Sequence, residues 1–345
     1  MSKKFDIAII GATGLVGEAL VSFLIERDFP AGKFFPLASP HTAGQKVELG
    51  GKYHTVKDVV GFDFSQAQIA VFCANDAVSA EYVPIATAAG CIVIDTSSYF
   101  ADDDDVPLVI PEVNPEAIAG FFTERKGQRN IIASPDSATI QMLVALKPIH
   151  DAVGIDRINV VTYQAVTAFG RSGMKELANQ TIALLNMQEI KKKVFPQQIA
   201  FNALAQVCAM AENGYLDCEM KMVRASQKIL ADKDIVIHPT TVQAPIFFGH
   251  SQVVSVETRA KLGADEALEL LRKAPGVEVL NDDKIGGGPT AVTHAAGQDT
   301  VFVGRIRDDI SDSYGLSLWV VADNVRKGAA LNCLQILELL VKEGL

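Results

Sequence analysis

The sequence is poor in what marks a metal ribbon, a membrane protein or a nucleic-acid binder. It has no Cys-x-x-Cys pair, and its five cysteines (Cys73, Cys91, Cys208, Cys218 and Cys333) are an odd, scattered set. That excludes a zinc-ligand spacing, so no metal is expected, and it fits free thiols in a reducing cytoplasm. No apolar run reaches the length of a membrane span, and Met-Ser-Lys-Lys-Phe-Asp leads into a strand without a signal-peptide pattern. A cytoplasmic chain with no membrane partner is the expectation. Positive charge is scarce: 31 Lys and Arg stand against 41 Asp and Glu, a net charge of −10. This argues against nucleic acid and anionic membrane as partners. There are no repeats, and the longest low-complexity tract is Asp102–Asp105.

What is present is apolar and long. At 345 residues and 49% hydrophobic content, about two domains with sizeable cores are expected. Phe5–Ile10 is a short β-branched run that stops at Gly11, a buried strand by pattern. Gly14–Arg27 has the apolar spacing of a helix packed on a sheet. Phe34–Ala38, Ile69–Cys73, Ile92–Asp95 and Asn130–Ala133 read as further strands, and Ser79–Ala89 as an Ala-rich helix. Strands alternating with helices imply a parallel, doubly wound sheet. A Ser-Pro-Asp-Ser turn then feeds the apolar helix Thr139–Ile149. Beyond about residue 150 the pattern changes. Ile155–Tyr163, Ile235–His238, Ser251–Arg259 and Gly315–Ala322 read as longer strands, Lys175–Asn186 and Ala264–Lys273 as helices, and Val325–Val341 as a strongly apolar final helix. The fold class is therefore α/β: a Rossmann-like dinucleotide-binding domain followed by an α+β domain.

Gly11-Ala-Thr-Gly-Leu-Val-Gly17 follows a strand and opens a helix. Glycines there let the backbone turn tightly and approach a pyrophosphate, which sits on the helix N-terminus. Gly11, Thr13, Gly14, Leu15 and Val16 are the candidate phosphate-side residues. An acid about twenty residues on would hold a ribose 2′-hydroxyl and select NAD. The segment Leu37-Ala-Ser-Pro-His-Thr-Ala-Gly44 has none. That favours a 2′-phosphate, hence NADP, or no strict choice, with Ser39, His41 and Thr42 as the candidate residues. A neutral His41 is a weak phosphate anchor, so the affinity is expected to be reduced.

Larger segments carry a resemblance. They are Ser134-Pro-Asp-Ser-Ala-Thr139, Gln141–Ile149, Val106–Asn114, Thr162–Val166, Glu219–Val223, Gly249-His-Ser251, Val303–Arg307 and Leu318–Ala330. In this order and spacing the chain resembles the aspartate-semialdehyde dehydrogenases over nearly its whole length. The resemblance implies a nucleotide domain (1–134 and 325–345) and a catalytic and dimerisation domain (135–324), in an architecture like that of glyceraldehyde-3-phosphate dehydrogenase. It implies a homodimer built through the second domain's sheet. It also implies a thiolate that attacks a carbonyl or acyl phosphate carbon, a His that moves the proton, and a hydride passed to or from NADP.

The nucleophile position is Ser137, where the family motif Asn-Pro-Asn-Cys-Ser-Thr has its Cys. A serine hydroxyl does not ionise near neutral pH as a thiol at a helix N-terminus does. Asp136 and Ser137 are also N-cap candidates for the helix that follows. By the same resemblance, Ala101 replaces the phosphate-gripping Arg, Gln243 the Arg for the substrate carboxylate, and Cys218 the Glu for the amino group. Each charge-assisted contact is worth about 1.5–3 kcal/mol, so three losses weaken the family substrate by roughly 4–9 kcal/mol. His250 matches the acid/base His, Gln164 the residue that orients the thiol intermediate, Lys221 a phosphate-site Lys and Asn324 a residue beside the nicotinamide. Phe169 is expected to fill nicotinamide-side space.

The resulting expectation is a catalytically silent member of the family, similar to its Usg-type paralogues, which lack the Cys. Such a chain would serve as a nucleotide-binding or regulatory dimer, including a mixed dimer with an active paralogue. Two other readings stay open: an NADP-dependent oxidoreductase acting on aspartate semialdehyde or another aldehyde, and a Ser137/His250 hydrolase.

Overall fold

In the computed structural model, which describes residues 3–123 and 129–343, the chain divides into two units. One is Met1–Asp136 with Ala329–Leu345, and the other is Ser137–Gly328.

The first unit begins with β1 (Phe5–Ile10), α1 (Leu15–Glu26) and β2 (Ala31–Ala38). A hairpin of β3 (Lys46–Leu49) and β4 (Lys52–Thr55) follows, then the two-residue strand β5 (Lys57–Asp58). The unit continues through β6 (Ile69–Phe72), α2 (Asp76–Ala88), β7 (Ile92–Asp95), α3 (Glu116–Thr123) and β8 (Ile131–Ala133). The sheet order is β5-β2-β1-β6-β7-β8, and all its pairs are parallel. Parallel strands are covered on both faces, which is why β1, β6 and β7 read as continuous apolar runs rather than alternating ones. From β1 the order runs outward in both directions, so a ligand crevice is expected at the carboxyl end of β1. One core joins Ile7 and Ile9 of β1, Leu20, Phe23 and Leu24 of α1, and Leu334 and Leu337 of the C-terminal helix.

The second unit opens with α4 (Ser137–Val153) and β9 (Ile155–Gln164), then α5 (Gly170–Leu185), α6 (Asp217–Ile229) and β10 (Val236–Gln243). Next come β11 (His250–Thr258), α7 (Ala264–Arg272), β12 (Val277–Val279), β13 (Val301–Asp308) and β14 (Gly315–Ala322). They form a mixed sheet in the order β10-β9-β11-β14-β13-β12. β9 pairs parallel with β10 and antiparallel with β11, and β14 is antiparallel to both β11 and β13. α4 is buried without a break from Ala138 to Leu146, as a helix enclosed on all sides must be. The C-terminal helix α8 (Leu331–Lys342) returns to the first unit.

The α/β class, with a parallel nucleotide-type sheet and a second mixed sheet, stands as expected. Three details differ. The last helix does not start at Val325: a π-turn at Arg326–Ala330 precedes α8. The carboxylate of Asp323 accepts from Val325 N at 2.8 Å and Arg326 N at 3.0 Å and sets the entry to that turn. The cluster Lys191-Lys192-Lys193, a solvated helix end by sequence pattern, does not lie on a helix. It lies beyond α5, where the buried Glu176 carboxylate accepts from the backbone N–H of Lys193 at 2.8 Å and Val194 at 2.6 Å. Finally, the cysteines are not all free, because Cys208 and Cys218 are joined in a disulfide.

Candidate functional site

The first unit carries a nucleotide cradle. Gly11 has φ +80, and a Cβ there would lie 2.3 Å from the Cys73 carbonyl oxygen, so only glycine fits. Gly14 is the N-cap of α1 and makes no side-chain cap. The first backbone N–H groups of the helix, at Leu15 and Val16, are thereby left for an anion. Thr13 Oγ1 donates to Thr42 Oγ1 at 3.3 Å, and Ser39 O accepts from Thr42 N at 3.0 Å and Ala43 N at 3.1 Å. Thus Thr13 in the glycine loop meets the turn carrying Ser39, His41 and Thr42, with His41 exposed. An uncapped helix start and an obligate glycine fit the pyrophosphate of a dinucleotide.

Ala101 lies in this unit too, in the turns after β7. Sequence reading missed what shapes those turns. Asp95 is fully buried and accepts from Ser79 Oγ at 2.7 Å, Ser97 Oγ at 2.6 Å and Ser97 N at 3.1 Å. Burial pushes its carboxyl above the usual range, against the hydrogen bonds from Ser97 and Ser79. Part of the negative charge in the Asp102–Asp105 run is met by Arg129, whose Nη1 lies 2.6 Å from Asp103 Oδ2.

The second unit carries the positions that the resemblance implies for catalysis. α4 starts at Ser137, so Asp136 stands at its N-cap position and Ser137 on its first turn, partly exposed. A Cβ on Gly328 would lie 2.5 Å from the Ser137 Cβ, so Gly328 is what admits a side chain at 137. Two buried amides tie this turn to β11. Gln252 Nε2 donates to Ala138 O at 2.8 Å and Gln141 Nε2 reaches His250 O at 3.5 Å.

His250 is 1% exposed, and its Nδ1 accepts from Ala165 N at 3.0 Å. A backbone N–H can only donate, so the neutral ring carries its proton on Nε2. Burial lowers its pKa to about 3. As a general base for Ser137, His250 would become an imidazolium with a donor at each nitrogen, one of them facing the Ala165 N–H. The geometry therefore disfavours a Ser137/His250 hydrolase and suits a neutral imidazole that offers Nε2–H. Asn324, 5% exposed, sets this arrangement by accepting from Gly249 N at 3.0 Å and Thr167 Oγ1 at 3.1 Å.

Two of the remaining positions, Gln243 and Cys218, are held by internal bonds. Gln164 and Gln243 are register partners at the ends of β9 and β10. Gln243 Nε2 donates to Gln164 O at 2.7 Å, while its backbone exchanges hydrogen bonds of 2.8 and 3.0 Å with Leu204. The Gln243 side chain is thus fully buried and inward-turned. Cys218 is bonded to Cys208, and Lys221 lies one turn further along α6. Phe169 is partly exposed. It packs edge-on against Phe195 at 4.9 Å within the second unit. Sequence reading also missed Glu219, which holds α6 by accepting from Leu216 N at 2.8 Å and Thr241 N at 2.6 Å. An acid at the third position of a helix was the available signal.

The three thiols outside the disulfide are held protonated by burial. Burial, with Asp95 nearby, pushes the Cys73 thiol up to about 12. Burial alone takes Cys91 to about 11. Cys333 is held well above the usual thiol range by burial, with Cys73 and Asp95 adding to it. Among the described residues no group of His, Cys, Asp and Glu is arranged to hold a metal.

Residues 6–121 match the NAD-binding domain of semialdehyde dehydrogenases, and residues 146–327 their dimerisation domain. The chain is 52% identical to an aspartate-semialdehyde dehydrogenase of Shewanella sp. strain DB6705 over 343 residues, 99% of each chain. It is 51% identical to aspartate-semialdehyde dehydrogenase 2 of Vibrio cholerae, again over 99% of each. The crystal structure of aspartate semialdehyde dehydrogenase II from Vibrio cholerae, complexed with ASA, matches with a TM-score of 0.95 at 50% identity and covers 100% of both chains. A fold with this nucleotide cradle, followed by this mixed sheet, places the chain in the aspartate-semialdehyde dehydrogenase family.

Proposed function

We propose that this chain is a family member without the thiol-dependent reaction, retaining NADP binding and acting as a regulatory dimer. The observation that carries the reading is Ser137 on the first turn of α4, at the position the resemblance gives to the nucleophilic Cys. A hydroxyl there forms no stable alkoxide near neutral pH, and His250, neutral with Nδ1 occupied, is poorly placed to take its proton. The three substrate anchors are replaced by Ala101, Gln243 and Cys218, of which Gln243 and Cys218 are committed to internal bonds.

Gly11, Thr13, Gly14, Leu15 and Val16 would hold the pyrophosphate of NADP, and Ser39, His41 and Thr42 its 2′-phosphate. When bound, NADP supplies a hydride acceptor. The chain's residues orient it, while the second unit lacks the thiol that would present a substrate to it. A homodimer through the mixed sheet, and a mixed dimer with an active paralogue, are the assemblies this role calls for.

Three measurements test the reading. Calorimetry should detect NADP, and NAD more weakly. With aspartate semialdehyde, phosphate and NADP, no NADPH should form. Absence of binding by either nucleotide removes the nucleotide role, and steady NADPH formation removes the silent-enzyme role. Co-expression with an active paralogue that yields no mixed dimer removes that form of regulation.

A further inference from the structure

We propose that Cys208 and Cys218 form a reversible redox site, exchanging with a low-molecular-weight aliphatic disulfide and its thiol, that fastens segment 204–216 to the start of α6. This does not depend on whether the chain binds NADP or turns over an aldehyde.

Three features separate this pair from a passive cross-link. Both cysteines are partly exposed, whereas Cys91 and Cys333 are buried, so a small thiol reagent can reach the pair. The segment between them is closed independently of sulfur: Ala211 N donates to Tyr215 O at 2.8 Å, Asp217 N donates to Ala209 O at 2.9 Å, and Met210 bridges Leu216. With Cα atoms 6.6 Å apart, within bridging range, the two thiols stay together once reduced. Third, Cys218 N donates to Cys208 Sγ at 3.3 Å, at the second residue of the 13-residue α6. An amide at a helix N-terminus favours a thiolate there, which assigns the attacking role to Cys208.

The exchange balances as a two-electron step. The Cys208 thiolate attacks one sulfur of the small disulfide. Its S–S bond breaks, and the first small thiolate leaves and takes up a proton. Cys218 gives up its proton and attacks the Cys208 sulfur of the mixed disulfide. The Cys208–Cys218 bond forms, and the second small thiolate is expelled and protonated. Two protein thiols are oxidised and one small disulfide is reduced to two thiols. The consequence reaches the old substrate pocket. Leu204, at the other end of the segment, is paired through both backbone hydrogen bonds with Gln243. Glu219 keeps α6 fixed on β10 throughout.

The test uses the full chain equilibrated across a series of glutathione to glutathione-disulfide ratios, quenched by alkylation and mapped by peptide mass spectrometry. Cys208 and Cys218 should gain alkylation together at the reducing end and lose it together at the oxidising end, with Cys91 and Cys333 unlabelled in the native protein. In Cys208→Ser, Cys218 should lose the internal bond and accumulate a glutathione adduct. The proposal is overturned if the two sites label at every ratio, if they stay bonded at every ratio, or if they titrate independently of each other.

Discussion

On the proposed reading, Ser137 puts a hydroxyl where the family resemblance implies a thiol, on the first turn of α4. Ser137→Cys is expected to restore a thiol at a helix N-terminus but no measurable NADPH formation from aspartate semialdehyde, because Ala101, Gln243 and Cys218 remain. Strong activity from that change alone would show that the assignment of substrate anchors is wrong. Gly328→Ala should destabilise the protein by about 1–3 kcal/mol in urea unfolding, since its Cβ would lie 2.5 Å from the Ser137 Cβ. In a Ser137→Gly background that penalty should shrink, which identifies the contact rather than the backbone as its source. For His250 the sign of the pH effect is set by burial. The folded ring titrates at about 3 against an ordinary 6.5, so between these values the unfolded chain takes up a proton that the folded chain does not. Its stabilising contribution is complete above about pH 6.5 and is lost as the pH falls toward 3, by up to ~1.4 kcal/mol per pH unit. Urea midpoints at pH 7.5 and pH 5 should differ less in His250→Asn than in the wild type.

At the scale of elements, the glycine loop and α6 behave as levers on separate sites. Gly11→Ala places a Cβ 2.3 Å from the Cys73 carbonyl and forces a positive φ on alanine, so calorimetry should lose the NADP signal. Retained affinity would mean that the pyrophosphate does not use this loop. Glu219→Ala leaves the N–H groups of Leu216 and Thr241 without their acceptor and should lower stability by about 1–3 kcal/mol. These elements also show what the sequence made readable. β1, β7 and β14 matched their apolar runs residue for residue, because a strand in the interior of its sheet carries its own signal. The β3–β4 hairpin did not, since its strands, Lys-Val-Glu-Leu and Lys-Tyr-His-Thr, are largely exposed. β13 was hidden by the register shift between Gly304 and Arg307, where Arg305 takes φ +50. Within the site, the pattern placed Ser137 in the turn before a helix starting at Thr139, whereas it is the first residue of α4. The tautomer of His250, the buried Asp95 cluster and the Cys208–Cys218 bond were not legible, because each depends on atoms brought together through space from distant segments.

The whole molecule joins a unit that matches the NAD-binding domain of semialdehyde dehydrogenases to one that matches their dimerisation domain. Sedimentation should give a species of twice the 37.0 kDa chain mass, and a monomer at micromolar concentration would remove the dimer from the proposed role. The net charge of −10 keeps such a dimer away from polyanions. The decisive measurement is NADPH formation by the purified wild-type protein with aspartate semialdehyde, phosphate and NADP, run beside Ser137→Ala. The account predicts that neither protein exceeds the enzyme-free rate. Turnover by the wild type that Ser137→Ala abolishes would contradict it.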